Sequence, residues 1–257
     1  MEPRKSLKER IASQQALFGL QLTHPNPPLA EMAGMCGYDF LMLDEEHGVF
    51  SQQDYLQTLQ AISATDTLSI VRLAGHDGPA VGRYMDMGVD AIMAPGVSSA
   101  AQVQALVRST EYPPAGTRGF GASMHRATGY GMTLADHLAA PRRGVALIAI
   151  IESTSGVANI DEILAVDGLD GVLIGPSDLS ASIGRPRDFS NATYTQAVAR
   201  VERATAGSSK FLGGAPHAGN SLEALLGRGY RLLLLDAEMC LIRQAMSAQV
   251  KKARAAL

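Results

Sequence analysis

Eight short apolar runs, each bounded by Gly, Pro or Asp and separated by stretches of helical apolar spacing, predict a (β/α)8 TIM barrel in this chain of 257 residues. The runs are nearly continuous rather than alternating, as in a parallel sheet buried on both faces. The rival architecture, an open doubly wound sheet, would show a Gly-rich phosphate loop after its first strand, and none is there. With 46% hydrophobic and 18% charged residues, the chain can bury one large core, and a single domain over 1–257 is expected.

The strand candidates are 16–22, 39–43, 69–73, 91–94, 145–151, 171–174, 210–212 and 232–235. Helices are expected over 52–64, 79–87, 100–109, 157–165, 193–206 and 221–228, with a last apolar-striped helix in 238–257. Gly119 and Gly121, in RGFGASM, follow Pro113 and Pro114 in a polar stretch and do not join a strand to a helix. That stretch, 111–130, is the longest irregular segment and reads as a functional or mobile loop.

Twenty-two basic against twenty-five acidic residues, with no basic run longer than Lys251 and Lys252, leave no electrostatic footprint for nucleic acid. A small-molecule partner is expected instead. Cys36 and Cys240 lack metal spacing, and both sit in apolar stretches that read as packed interior. The opening MEPRKSLKERIASQQ has no apolar core, and no window reaches the roughly 18 apolar residues of a membrane span, so a cytoplasmic location is expected.

Several strand runs end abruptly in charge. FLML meets Asp44, Glu45, Glu46 and His47; SIV meets Arg72; ALIAII meets Glu152; GVLI leads through Gly175, Pro176 and Ser177 to Asp178. Singly, each has an ordinary role as a helix cap or surface ion pair. In a barrel all these ends converge on one rim, where barrel active sites are built. Glu152 and Asp178, on adjacent strand ends without cysteine or a histidine pair, are hard oxygen donors suited to Mg²⁺ or Mn²⁺. His47, flanked by Asp44 and Glu46, is a candidate general base, since a carboxylate orients its ring and supports its protonated form. His24, His76, His137 and His217 read as solvated or capping residues, while His125 stays open.

GYDFLMLDEEHG (37–48), VRL (71–73), YPPAGTRGFG (112–121), IESTSGVANIDEIL (151–164) and GLDGVLIGPSDLS (168–180) resemble the HpcH/HpaI class of pyruvate aldolases, over most of the chain. The resemblance implies a barrel of the phosphoenolpyruvate/pyruvate superfamily and a divalent-metal-dependent aldolase (Mg²⁺, Mn²⁺ or Co²⁺) that reversibly cleaves 4-hydroxy-2-keto acids to pyruvate and an aldehyde. It implies Glu152 and Asp178 as metal ligands, Arg72 as enolate stabiliser, His47 as catalytic histidine and Asp44 as the aspartate preceding it. Asp86, in RYMDMG, corresponds to an aspartate reached from a neighbouring subunit. It also implies a homo-hexamer, a trimer of dimers, with the last helix packed on a partner.

Three positions depart from the family pattern. Ile150 stands where a glutamine is frequent, Leu73 where a proline is, and Asp236 where a glycine is. The first two bear on pyruvate packing and the third on aldehyde choice. Backbone N–H groups of Gly175, Ser177 and Asp178 around Pro176, at a helix start, are expected to bind the pyruvate carboxylate. A Schiff-base aldolase is disfavoured, because Lys5, Lys8, Lys210, Lys251 and Lys252 do not reach the predicted rim. Two rival functions remain, a CoA-ester lyase of the same superfamily and a non-catalytic keto-acid-binding barrel.

Overall fold

The computed structural model describes residues 4–13, 15–140, 142 and 144–256; residues 1–3 and 14 of the opening stretch and Leu257 lie outside the described residues. Eight parallel strands close into a barrel in sequence order: β1 Leu17–Leu22, β2 Phe40–Asp44, β3 Leu68–Arg72, β4 Ala91–Ala94, β5 Ala146–Ile151, β6 Gly171–Ile174, β7 Phe211–Gly214 and β8 Tyr230–Ala237. Every expected strand is present, with ends shifted by at most two residues and β4 and β6 unshifted. The registers Asp44↔Arg72 and Ile151↔Ile174 put the ends of β2 and β3, and of β5 and β6, side by side.

Two apolar layers hold the barrel. Leu17, Phe40, Met42, Leu68, Ile70, Met93, Ile148 and Leu232 fill its interior, while Leu41, Leu43, Val71, Ile92, Leu147 and Val172 face outward onto the helices. Gly19 is required inside, because a Cβ there would stand 2.2 Å from the Phe40 ring. At the N-terminal end, an aspartate before β2, β4 and β6 accepts the N–H of a residue on the preceding strand: Asp39 from Phe18 at 2.9 Å, Asp90 from Ser69 at 2.8 Å, Asp170 from Leu147 at 2.8 Å. Helix Leu7–Ala12, begun by a Ser6/Glu9 capping box, packs Leu7 and Ile11 against the interior layer. That end of the barrel is plugged, so access to the interior is left to the C-terminal rim.

The differences from expectation have local causes. Helix Pro27–Met35 is not among the expected helices; both of its prolines fall in its first turn, where no N–H is needed, and Asn26 accepts the N–H of Leu29. The helix start expected at Gly175 to Asp178 is present, with Pro176 opening helix Pro176–Ser182. The helix expected over 157–165 breaks into Thr154–Ala158 and Ile160–Leu164 at Asn159, whose side chain donates to the Ser98 carbonyl at 2.8 Å. The 111–130 segment is irregular apart from two short 3-10 turns, Ala122–Met124 and Arg126–Thr128. Neither cysteine is packed interior. Cys36 is exposed where it caps helix Pro27–Met35, and Cys240 is half-buried on the terminal helix, Glu238–Arg254. Among the described residues, no helix is long and apolar enough to cross a membrane.

Candidate active site

Arg72, Glu152 and the segment from Gly175 to Asp178 come together on one cavity of about 290 Å³ at the C-terminal rim. Its floor is the top of the interior layer, Met42, Met93, Ile150, Leu173 and Leu234, and its walls include Gln21, Ala215 and Pro216. The volume lies near the lower limit of ligand cavities and suits a small substrate. A larger groove of about 700 Å³ lies outside the barrel, beside helix Pro27–Met35 and the terminal helix. Its lining is mostly apolar and holds none of the reactive residues, so chemistry rather than size selects the rim cavity.

Arg72 ends β3 and Asp44 ends β2, in direct register. Asp44 is fully buried, and it takes Arg72 bidentately, Nε to Oδ1 at 2.8 Å and Nη2 to Oδ2 at 2.6 Å. Gln21 Nε2 at 2.8 Å and the N–H groups of Glu46 and His47 at 3.1 and 3.3 Å complete its partners. Burial alone would push the Asp44 carboxyl up; the Arg72 guanidinium and these donors outweigh it and hold the group below its ordinary range. The remaining Nη1 of Arg72 lies 3.1 Å from Glu46 Oε2, and that oxygen is 3.8 Å from His47 Nε2. Glu46, not Asp44, is therefore the carboxylate beside the His47 ring. His47 itself stands exposed in the loop after β2 and does not line the cavity.

Glu152 follows β5 directly. It is 8% exposed, and its Oε1 accepts the Gly96 N–H at 2.5 Å. A Cβ at Gly175 would stand 2.5 Å from Glu152 Oε2, so only glycine lets β6 pass so close. Burial pushes the Glu152 carboxyl up to about 7; the charges of Asp178 and Glu46 add to the rise, and the Gly96 N–H and Arg72 oppose it. Two carboxylates repelling one another across a cavity call for a cation. The donor set fits a divalent ion held by two hard oxygen ligands with positions left for substrate and water. No cluster of three His, Cys, Asp or Glu side chains able to hold a metal occurs among the described residues.

Asp86 does not join this site within one chain. It lies on helix Gly78–Met87, where its Oδ1 is 2.6 Å from Arg118 Nη2 and 2.9 Å from His125 Nδ1. Ile150 lines the cavity floor, whereas Leu73 is buried in the outward layer. Asp236 contributes to the wall, but its register partner on β1 is the outward-facing Leu20, and its charge is felt at Tyr38. No lysine lines the cavity; Lys8 pairs with Asp170, which precedes β6 at the plugged end. Gln21 and Gly96 are site residues that the sequence reading missed. A lone polar residue near the end of the apolar run FGLQL, and a glycine closing AIMAPG, were the available signals; in the structure Gly96 takes a φ of 60°.

A family model described as HpcH/HpaI aldolase/citrate lyase matches residues 17–234. A hydroxypyruvate/pyruvate aldolase of Delftia acidovorans is 32% identical over 253 residues, covering 98% of this chain and 94% of that protein. A 2-keto-3-deoxy-L-rhamnonate aldolase of Escherichia coli is 37% identical over 179 residues, 70% of this chain and 67% of the relative. The crystal structure of an HpcH/HpaI aldolase/citrate lyase family protein from Burkholderia cenocepacia superposes with a TM-score of 0.90 at 30% identity, covering 96% and 98% of the two chains.

With Glu152 as a metal ligand, its raised carboxyl would make divalent-ion binding compete with a proton. Affinity for Mn²⁺ is expected to climb as pH rises to about 7 and then level off, with proton release approaching about one per ion below that point. The sign for stability is opposite. Between the ordinary 4.5 and about 7 the folded metal-free chain binds more protons than the unfolded one, so it loses stability as pH rises, and Glu152→Gln removes that loss. Calorimetric titrations across this range check both; a pH-independent affinity contradicts the assignment.

Proposed function

The chain belongs to the HpcH/HpaI aldolase/citrate lyase family and is an aldolase, and we propose that it reversibly cleaves 4-hydroxy-2-keto acids to pyruvate and an aldehyde in a divalent-metal-dependent reaction. The observation that carries this reading is the meeting of Arg72, Glu152 and the Gly175 to Asp178 segment on one small cavity. Mg²⁺, Mn²⁺ or Co²⁺ held by Glu152 and Asp178 would supply positive charge at the keto oxygen of the substrate.

Breaking the C3–C4 bond leaves an electron pair on the pyruvate fragment as an enolate. Arg72 answers that charge with a fork already aligned by Asp44, so no reorganisation is needed as the charge develops. The first-turn N–H groups of Ser177 and Asp178, which have no carbonyl partner within their own helix, receive the substrate carboxylate. His47 takes the C4 hydroxyl proton, directly or through a water, and returns it in the synthetic direction. Glu46 Oε2 stands 3.8 Å from the ring Nε2.

The same proposal extends to assembly. Of the terminal helix only Glu238 is buried, while Met239, Leu241, Met246 and Val250 stand exposed, and Leu241, Ile242 and Ala245 line the apolar groove. In a hexamer built as a trimer of dimers, neighbouring copies cover this face and Asp86 reaches a neighbour's cavity. We place the enzyme in the cytoplasm, a reading supported by two cysteines that are both free thiols.

A pyruvate-release screen over 4-hydroxy-2-keto acids of different chain length and charge, with and without metal, tests the reaction. At least one substrate is expected to turn over with Mn²⁺, Mg²⁺ or Co²⁺ and to stop with a chelator. Full activity in exhaustively chelated enzyme refutes the metal-dependent mechanism. For assembly, His47→Ala and Asp86→Ala chains, each inactive alone, are expected to regain activity when co-assembled. No recovery in verified mixed oligomers refutes the shared site.

A further inference from the structure

The terminal helix begins with a buried carboxylate that the proposed chemistry does not use. Glu238 is 2% exposed, and its Oε1 accepts the N–H of Thr23 at 2.7 Å, the Thr23 hydroxyl at 2.7 Å and the N–H of His24 at 2.9 Å. Its Oε2 is also buried and has no hydrogen-bond partner among the described residues. Three donors on one oxygen fix the segment after β1 to the foot of the terminal helix, and removing the carboxylate would strand the two N–H groups, the Thr23 hydroxyl also lying 2.9 Å from His24 Nδ1.

Thr23 in turn holds the loop that carries His47. Its carbonyl accepts the Val49 N–H at 2.9 Å. A Cβ at Gly48, the residue after His47, would stand 3.0 Å from that carbonyl oxygen and 2.1 Å from the carbonyl oxygen of Asp44, so the loop lies tight on both. The other end of the loop is held by Glu45. Its N–H donates to the Arg72 carbonyl at 2.9 Å, and its carboxylate accepts the Tyr84 hydroxyl at 2.6 Å and the Ala74 N–H at 3.2 Å. The His47 ring lies 3.8 Å from Glu46, and its backbone N–H donates to Asp44 Oδ1 at 3.3 Å, so the loop is placed by Asp44 together with these two anchors.

We propose that Glu238 is a positioning residue for His47, acting from the foot of the terminal helix through Thr23 on loop 45–51. The inference rests on the reading of His47 as the group that removes the hydroxyl proton. It predicts that loosening Glu238 harms the proton transfer and spares enolate formation.

Two substrates separate these steps in the full-length enzyme with Mn²⁺. One is the 4-hydroxy-2-keto acid cleaved best by the unsubstituted chain. The other is oxaloacetate, whose loss of CO₂ gives the same enolate with no hydroxyl proton to remove. Glu238→Ala is expected to lower kcat for aldol cleavage ~10-fold or more, with KM within about threefold and decarboxylation within about twofold. Glu238→Gln, whose amide oxygen can accept the same three donors, is expected to restore cleavage to within about threefold of the unsubstituted rate. Thr23→Val removes one donor and leaves the helix foot intact, so it reports the same split on a smaller scale where Glu238→Ala fails to fold. Undiminished cleavage in these variants, or a parallel loss of both reactions, overturns the positioning role. An unsubstituted chain that cleaves no 4-hydroxy-2-keto acid overturns the aldolase reading instead, and this inference with it.

Discussion

The ion pair of Asp44 and Arg72 is the constraint from which the rim of the barrel is built. Burying a carboxylate without solvent is costly, and the cost is offset only where geometry is good and every lone pair is used. Here the two groups end neighbouring strands in register, the guanidinium engages both carboxylate oxygens, and Gln21 with two loop N–H groups takes what is left. The pair fixes Arg72 at the cavity edge with one nitrogen free to reach Glu46, and through Glu46 it approaches His47. Exposed pairs such as Arg200 with Asp161 carry no comparable consequence, because solvent screens them.

The barrel divides its labour between its ends. Helix Leu7–Ala12 and the aspartates before β2, β4 and β6 close and staple the N-terminal end. The C-terminal end keeps Glu152 and Asp178 close enough to repel, a strain that a fold selected for stability alone would avoid. Burial and that repulsion together raise the Glu152 carboxyl, as expected of the proposed cation site. Gly175 and Gly96 let two backbone segments approach Glu152 closely enough to hold it there.

Much of this was legible in the chain. Apolar runs ending in Asp44, Arg72, Glu152 and the segment before Asp178 gave both the strands and the residues at their ends, because a parallel barrel strand is buried on both faces and its first polar residue is its exit. The helix start at Pro176 was legible, whereas helix Pro27–Met35 was not, since prolines in the first turn look like a loop until the cap is seen. The exposure of Cys36 was hidden for the same reason. The partners of Asp44 were hidden by distance: His47 is three residues away in sequence, whereas Arg72 is brought in by strand register. Asp86 shows the converse, since its motif is clear while its contacts within one chain, Arg118 and His125, lie away from the cavity.

We propose that Asp44 acts on the reaction through Arg72 and not through the His47 ring. Replacing Asp44 with Asn keeps the shape and removes the charge that holds the fork. Pyruvate release by Asp44→Asn at saturating Mn²⁺ is expected to fall by about 10²-fold, the scale of losing an aligned oxyanion donor, with the fold retained. A rate near that of the unsubstituted enzyme, with Arg72 still required, would contradict the account.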